Sequence, residues 1–219
     1  MEEEQKKEKI DVVEEILKIF WVFMIGSFLG YIFEMIIVLF QKGYFESRQG
    51  LIYGPLTPVY GIGGVIYYLT FKIIKTRDKG KVFLISMVLG GVTEYLCSFI
   101  QERVFHTISW DYSHLPFNFN GRTSLLHCSY WGIAGLLYIV YIEPIINKIG
   151  RMTKKNGIKI TTSLVAVFMV WNITISWIAG VRQKDRMQNI PPRNKIEQFL
   201  DEHYPDEYMD KIFSNKKNK

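Results

Sequence analysis

Five long apolar stretches follow one another along the chain, each bounded by charged or turn-forming residues. They cover residues 19–40, 49–71, 82–100, 123–142 and 160–181, and the only charged residues inside them are Glu34 and Glu94. A helix that crosses the bilayer core needs about 20 predominantly apolar residues, so each stretch is long enough to span a membrane. The pattern predicts an all-α, polytopic transmembrane helix bundle of five spans, and it excludes a soluble domain with a single core.

Charged segments flank this bundle at both ends and divide the chain into three parts. Residues 1–18 form a charged, amphipathic lead-in that lacks the small-residue cleavage site of a signal peptide. Residues 19–181 form the transmembrane domain, and residues 182–219 form a charged C-terminal tail in which we expect a short helix. The sequence therefore predicts one membrane domain, with the lipid bilayer as its main partner.

The distribution of basic residues predicts which side each loop occupies. The N-terminal tail and the loops 72–81 and 147–159 together carry 14 basic residues, whereas the loops on the opposite side carry four: Lys42, Arg48, Arg103 and Arg122. Basic loops stay in the cytoplasm, so the N-terminus is expected to be cytoplasmic in a cell-membrane protein. The tail, with nine basic residues, conflicts with this topology. Either the tail lies outside, or one apolar stretch is re-entrant.

The net charge and the cysteine content point to no further class of function. The formal net charge of +6 does not require a nucleic-acid partner, because the topology already demands basic loops at the membrane edge. Cys97 and Cys128 both lie within apolar stretches, where buried reduced cysteine is the simplest interpretation. Nothing in the sequence predicts a cofactor or a catalytic residue, so we do not expect an enzyme.

An internal repeat relates the first two spans to the third and fourth. At a shift of 60 residues, Leu29, Gly30, Glu34, Gln41 and Phe45 fall on Leu89, Gly90, Glu94, Gln101 and Phe105. The following span aligns at a shift of 71 residues, which places the segment 60–67 on the segment 131–138. The sequence therefore predicts two helix hairpins in parallel orientation (19–71 and 82–146) plus a fifth helix, with eleven extra residues in the second outer loop.

The two glutamates of the repeat are the main candidates for a functional site. A carboxylate within a span costs roughly 2.5–3.5 kcal/mol at the helix centre, so it should face the bundle interior and have a partner. Arg48 and Arg122 are the nearby cations, which suggests one Glu–Arg pair per hairpin. These pairs could be structural clamps or could line a polar, outer-facing vestibule, and both alternatives stay open. Asp111 and Tyr60 complete the predicted polar site.

The two outer loops carry secondary hypotheses. Gly50, Gly54, Pro55 and Pro58 break any helix in the first loop, so part of 49–58 is expected to dip into the protein as non-helical backbone. In the loop 101–124, a weak metal-site alternative rests on Glu102 and His106, which are four residues apart, with the further ligands Asp111, His114 or His127. Asn172 interrupts the fifth span and is expected to donate a hydrogen bond to another helix.

Several loop motifs resemble one bacterial family. They are Arg48-Gln49-Gly50-Leu51-Ile52-Tyr53-Gly54-Pro55, Trp110-Asp111-Tyr112-Ser113, Asn120-Gly121-Arg122, and Tyr204-Pro205-Asp206-Glu207 in the tail. Together they are similar to the CmpB-like family of ABC-transporter type IV permeases over residues 25–215. The resemblance implies a transport-related subunit that needs a partner ATPase or a homo-oligomer to form a pathway. The alternative is a membrane scaffold protein whose loop 101–124 or tail binds a protein partner.

Overall fold

The computed structural model describes residues 2–152 and 156–218, and most of these residues lie in helices. The helices are α1 (Glu2–Lys42), α2 (Pro58–Ile74), α3 (Lys79–Phe105), α4 (Leu125–Leu137), α5 (Glu143–Met152), α6 (Asn156–Met187), α7 (Lys195–His203) and α8 (Asp206–Ile212). A π-helical turn, Tyr138–Ile142, joins α4 to α5. Four two-residue strands lie outside the helices: β1 (Thr107–Ile108), β2 (Asn118–Phe119), β3 (Thr123–Ser124) and β4 (Lys217–Asn218). The predicted all-α class is confirmed.

Among the described residues, four helical segments are long and apolar enough to cross a membrane: Val12–Lys42, Lys79–Phe105, Leu125–Met152 and Gly157–Met187. The chain is therefore a multi-pass membrane protein. The second predicted span differs from these four, because α2 has only 17 residues, about 25 Å of helix. Residues 49–57 of that apolar stretch are not helical, since the glycines and prolines there interrupt the helix as expected.

The helices α1 and α2 form an antiparallel hairpin whose two ends are marked by polar contacts. At one end the Tyr68 hydroxyl donates to Glu15 Oε2 at 2.6 Å. At the other end the Tyr60 hydroxyl donates to Glu34 Oε1 at 2.9 Å. The helix α2 thus runs antiparallel to α1, with Tyr60 beside Glu34 and Tyr68 beside Glu15. The lead-in does not form a separate element, because α1 continues unbroken from Glu2 to Lys42.

The helices α3 and α4 form the second hairpin, and its core is continuous with that of the first. Val22, Tyr67, Phe71, Val82, Trp131, Tyr138 and Ile146 are among the buried residues of this core. Glycines allow the close approach of the helices, since a Cβ at Gly30 would lie 2.2 Å from the Tyr60 ring and a Cβ at Gly90 would lie 2.3 Å from the Trp131 side chain. Each hairpin therefore packs a large ring against a bare helix backbone.

The residues 48–57, here called the re-entrant segment, turn back into the protein between α1 and α2. The Thr57 amide donates to the Ser27 carbonyl at 3.0 Å. Ser27 lies 15 residues before the end of α1, about 22 Å along the helix axis. Leu51, Ile52 and Leu56 are 5%, 3% and 6% exposed. This stretch of irregular backbone is thus shielded by protein, as the low-dielectric surroundings require.

The C-terminal tail folds back onto the face that carries the loops 43–57 and 106–124. Strand β4 pairs with β1, and the Ser214 hydroxyl donates to the Ser47 carbonyl at 2.8 Å. Arg182 at the end of α6 makes a bidentate contact with Asp201, with both N–O distances 2.8 Å. The tail therefore lies on the face opposite the basic loop after α2. Of the second basic loop, Lys154 and Lys155 lie outside the described residues.

Candidate functional site

Glu34 lies on α1 and is the first of two glutamates in the candidate site. Its Oε1 atom accepts the hydrogen bond from Tyr60, and its Oε2 atom lies 3.6 Å from Arg48 Nε. The side chains of Glu34 and Arg48 are 27% and 16% exposed. The first predicted Glu–Arg pair is therefore present, and Tyr60 joins it as predicted.

Arg48 lies close to Glu34, but one nitrogen of its guanidinium group lacks a hydrogen bond. Its Nε atom is buried and has no hydrogen-bond partner within residues 2–152 and 156–218. Its carbonyl accepts a hydrogen bond from the Thr57 hydroxyl at 2.8 Å, and its Nη1 atom lies 3.9 Å from Glu46. The guanidinium therefore balances Glu34 by charge and not by an ideal bidentate hydrogen bond.

Glu94 lies on α3 and has different partners from its repeat equivalent. It is only 7% exposed. Its Oε1 atom accepts from the Tyr112 hydroxyl at 3.2 Å, and its Oε2 atom accepts from the Thr123 hydroxyl at 2.6 Å. Within the described part of the chain, no lysine, arginine or histidine lies within 4.0 Å of its carboxylate. A nearly buried carboxylate is thus held by neutral hydroxyl groups.

The second predicted Glu–Arg pair is wrong in its acidic partner. Arg122 pairs with Glu102 and not with Glu94, and its Nη1 atom lies 3.3 Å from the Ser98 hydroxyl. The physical reason is the longer loop. Its β2–β3 turn fixes the backbone of Arg122, whose amide donates a hydrogen bond to the Phe119 carbonyl. The guanidinium therefore lies over the Phe99 ring, nearer the end of α3 than Glu94 is.

Tyr112 connects the two glutamates. Burial raises the pKa of the Tyr112 phenol well above its usual range, and the negative charges of Glu94 and Glu34 raise it further. Arg48 acts in the opposite direction. Tyr60, which donates to Glu34, also stacks on Trp131 of the second hairpin, so the polar groups of the two hairpins adjoin in one candidate site. We call it the glutamate cluster, and its members are Glu34, Arg48, Tyr60, Glu94, Tyr112 and Thr123.

Aromatic rings underlie this cluster between the hairpins. Tyr60 stacks on Trp131 with ring centroids 5.2 Å apart, and Tyr112 stacks on His127 with centroids 3.6 Å apart. Trp131 is 6% exposed. The cluster therefore packs against aromatic rings, and these surroundings of low polarity strengthen the charge interactions within the cluster.

Asp111, the remaining predicted site residue, organises its own loop. It is exposed, and its Oδ1 atom accepts from the Ser113 amide at 2.9 Å and from the Ser113 hydroxyl. Such Asx turns are common loop features. In the ranges 2–152 and 156–218, no group of three or more His, Cys, Asp or Glu side chains is placed to hold a metal ion.

Sequence reasoning missed several contributors to the site. The sequence patterns place Tyr112 only in a loop motif and assign Thr123 no role. Glu102 was considered only as a metal ligand, although it is the partner of Arg122. The Trp110-Asp111-Tyr112 motif was the available signal for Tyr112, but a motif does not tell which helix a loop folds against.

The fold and the cluster define an α-helical, multi-pass membrane protein with buried acidic groups between two hairpins. The chain belongs to the family described as Putative ABC-transporter type IV, whose model matches residues 21–177. No curated protein and no solved structure matches the chain.

Proposed function

We propose that this protein is a transport-related, permease-like membrane subunit with no catalytic role. We further propose that its glutamate cluster is an outer-facing polar site that takes up a proton. The observation that carries this proposal is the environment of Glu94, which is 7% exposed and held by the neutral side chains of Tyr112, Thr123 and Trp131. Membership of the ABC-transporter type IV family supports the transport part of the proposal.

The chemistry of the cluster favours a proton as its ligand. Two carboxylates that act on the same buried phenol share only one guanidinium, that of Arg48. Ionising both would leave an uncompensated negative charge in surroundings of low polarity, which is costly. One added proton removes that charge, and Glu94 is the acceptor because Glu34 already has a cation beside it. Besides Tyr112, the titratable or charged groups that face Glu94 are Glu34, Tyr60 and Cys97.

The proposed architecture is two parallel hairpin repeats plus a fifth span. Supporting contacts recur at equivalent positions: Gly30 packs on Tyr60 as Gly90 packs on Trp131, and Gly61 packs on Phe23 as Gly132 packs on Phe83. Equivalent residues also meet across the two hairpins, because Tyr60 stacks on Trp131 and Tyr67 contacts Tyr138. Such self-contacts are expected beside a pseudo-two-fold axis along the membrane normal.

The proposed orientation places the N-terminus in the cytoplasm and the tail outside. The basic loops on the side of the N-terminus support it. The basic residues of the tail, three of which directly follow the last span, oppose it.

Labelling of introduced cysteines with a membrane-impermeant maleimide tests this orientation. The background is Cys97→Ala/Cys128→Ala, the tail site is Glu202→Cys, and the loop site is Lys79→Cys. On intact cells we expect labelling at position 202 and none at position 79. The reverse result contradicts the orientation. Equal labelling at both sites contradicts an odd number of spans between positions 79 and 202.

Proton flux into liposomes tests the function of the cluster. Purified protein is reconstituted with a pH-sensitive dye inside, and a potassium diffusion potential drives protons inward. We expect Glu94→Gln and Glu34→Gln/Glu94→Gln to lose the protein-dependent flux. Glu102→Gln is the matched control, since Glu102 lies on the same helix but pairs with Arg122. Unchanged flux in the double variant would refute the proposed role.

A second candidate function is a membrane scaffold in which the ion pairs are clamps. The Glu34–Arg48 and Arg122–Glu102 pairs favour it. In that case the loop 101–124 or the tail binds a protein partner, and the glutamate variants lose thermal stability while no protein-dependent flux exists. A partner ATPase or a homo-oligomer belongs to the transport proposal, and native mass spectrometry of the purified membrane complex detects either.

A further inference from the structure

The re-entrant segment depends on α6 for its backbone hydrogen bonds. Non-helical backbone at membrane depth needs partners from the protein, since lipid supplies none. Asn172 is fully buried. Its Oδ1 atom accepts from the Tyr53 amide at 3.2 Å, and its Nδ2 atom donates to the Tyr53 carbonyl at 2.7 Å. One side chain of the fifth span thus satisfies both main-chain groups of a loop residue.

Ser176, one helical turn further along α6, extends this contact. Its hydroxyl oxygen accepts from the Ile52 amide at 2.9 Å, and the hydroxyl lies 3.4 Å from Asn172 Oδ1. Ile52 packs in one cluster with Ile175 and Ala179 of the same helix. The tip of the re-entrant segment is therefore attached to α6 by polar and apolar contacts together.

Internal hydrogen bonds make the segment a closed unit. The Gly50 amide donates to the Leu56 carbonyl at 2.8 Å, and Gln49 Nε2 donates to the Gly54 carbonyl at 2.9 Å. The Thr57 hydroxyl closes the base by donating to the Arg48 carbonyl at 2.8 Å. A displacement of the tip is therefore transmitted to Arg48 at the base.

We propose that Asn172 is a positioning residue of the glutamate cluster, which fixes Arg48 beside Glu34 through the re-entrant segment. Arg48 needs such help, because its Nε atom has no hydrogen-bond partner in the described residues and lies 3.6 Å from Glu34. The fifth span, α6, is thereby coupled to the charge balance of the cluster. The consequence for flux rests on the proposed function, but the positioning itself does not.

The coupling between Glu34 and Arg48 provides a test that does not depend on transport. Thermal midpoints of Glu34→Gln, Arg48→Gln and the double variant are measured in detergent, first with Asn172 and then with Asn172→Ala. With Asn172 present, we expect the two shifts to be non-additive, because the residues interact. With Asn172→Ala, we expect the non-additivity to disappear. If it persists undiminished, the positioning role is refuted.

The matched control is Thr174→Val, on the same helix and two residues away. The Thr174 hydroxyl donates to the Val170 carbonyl within α6, and its side chain is exposed. This variant should keep the full Glu34–Arg48 coupling. If Asn172→Ala does not fold, Ser176→Ala replaces it and should weaken the coupling, since it removes the acceptor of the Ile52 amide and the hydroxyl beside Asn172 Oδ1.

Thiol labelling and proton flux separate this inference from the proposed function. In the Cys97→Ala/Cys128→Ala background, Gln49→Cys should react severalfold faster with maleimide when Asn172→Ala is added, and an unchanged rate contradicts the inference. In liposomes, Asn172→Ala and Arg48→Gln should shift the pH dependence of flux in the same direction, and combining them should add nothing. Faster labelling without any flux in the native protein supports positioning and refutes transport.

Discussion

The two hairpins use the same helix packing and yet arrange their charges differently. Gly30 against Tyr60 and Gly90 against Trp131 are equivalent contacts of equal closeness. Above them, Glu34 has a guanidinium beside it, whereas the donors to Glu94 in the described residues are neutral side chains. The two hairpins therefore share their apolar packing, and their loops give them different electrostatics.

The loops differ in length and in what anchors them. The first is short, turns inward and is held at its tip by Asn172 of α6. The second, 106–124, has 19 residues against 15 in the first, 43–57, and folds against α3 of its own hairpin, where Asn120 donates to the Tyr95 hydroxyl at 3.0 Å. An extended second loop can thus place Tyr112 and Thr123 on Glu94 and carry Arg122 away from it.

The largest expected effect tests the shared packing. Gly30→Ala and Gly90→Ala should each destabilise the protein by about 1–3 kcal/mol, because the added Cβ overlaps an aromatic side chain that cannot move freely. The measurement is thermal unfolding in detergent. Gly157→Ala is the control, since its Cβ would meet nothing within 4 Å. A cost at one of the two glycines only would break the equivalence of the hairpins.

A smaller effect tests the difference in charge partners. Double-mutant cycles should give a coupling energy of about 0.5–3 kcal/mol for contacting pairs such as Glu34–Arg48 and Glu102–Arg122. For Glu94–Arg122 we expect additive effects, because these side chains do not pair. The variants are the glutamine replacements, compared by thermal unfolding. Strong coupling between Glu94 and Arg122 would contradict the assignment of partners.

The smallest effect concerns the tail, which covers the first hairpin through Tyr204 and Tyr53, whose hydroxyls lie 3.0 Å apart. Hydrogen bonding to Arg182 holds the pKa of Asp201 below its ordinary value of 3.8. A lowered folded-state pKa contributes stability above pH 3.8 that is lost as pH falls towards the folded-state pKa. The native protein should therefore lose more thermal stability than Asp201→Asn when the pH is lowered from 5 through the folded-state pKa of Asp201. Parallel curves for the two proteins would contradict this.

The sequence alone allowed a large part of this protein to be predicted. Apolar length identified the membrane helices, because a bilayer demands long uncharged stretches. The isolation of Glu34 and Glu94 within such stretches predicted the centre of the candidate site, since charge within a span is costly. The prolines and glycines of the first loop predicted its irregular backbone, because they exclude a helix.

Tertiary structure alone decided which polar groups meet. Arg122 and Glu102 pair because the β2–β3 turn fixes the backbone at Arg122. The number of residues between them in the sequence does not predict this contact. Asn172 and Tyr53 are 119 residues apart, and only the packing of α6 against the re-entrant segment joins them. Hydrophobic periodicity is a local property that can be read along the chain. Hydrogen-bond partners depend on how loops fold across helices, and that is fixed only when the whole bundle packs.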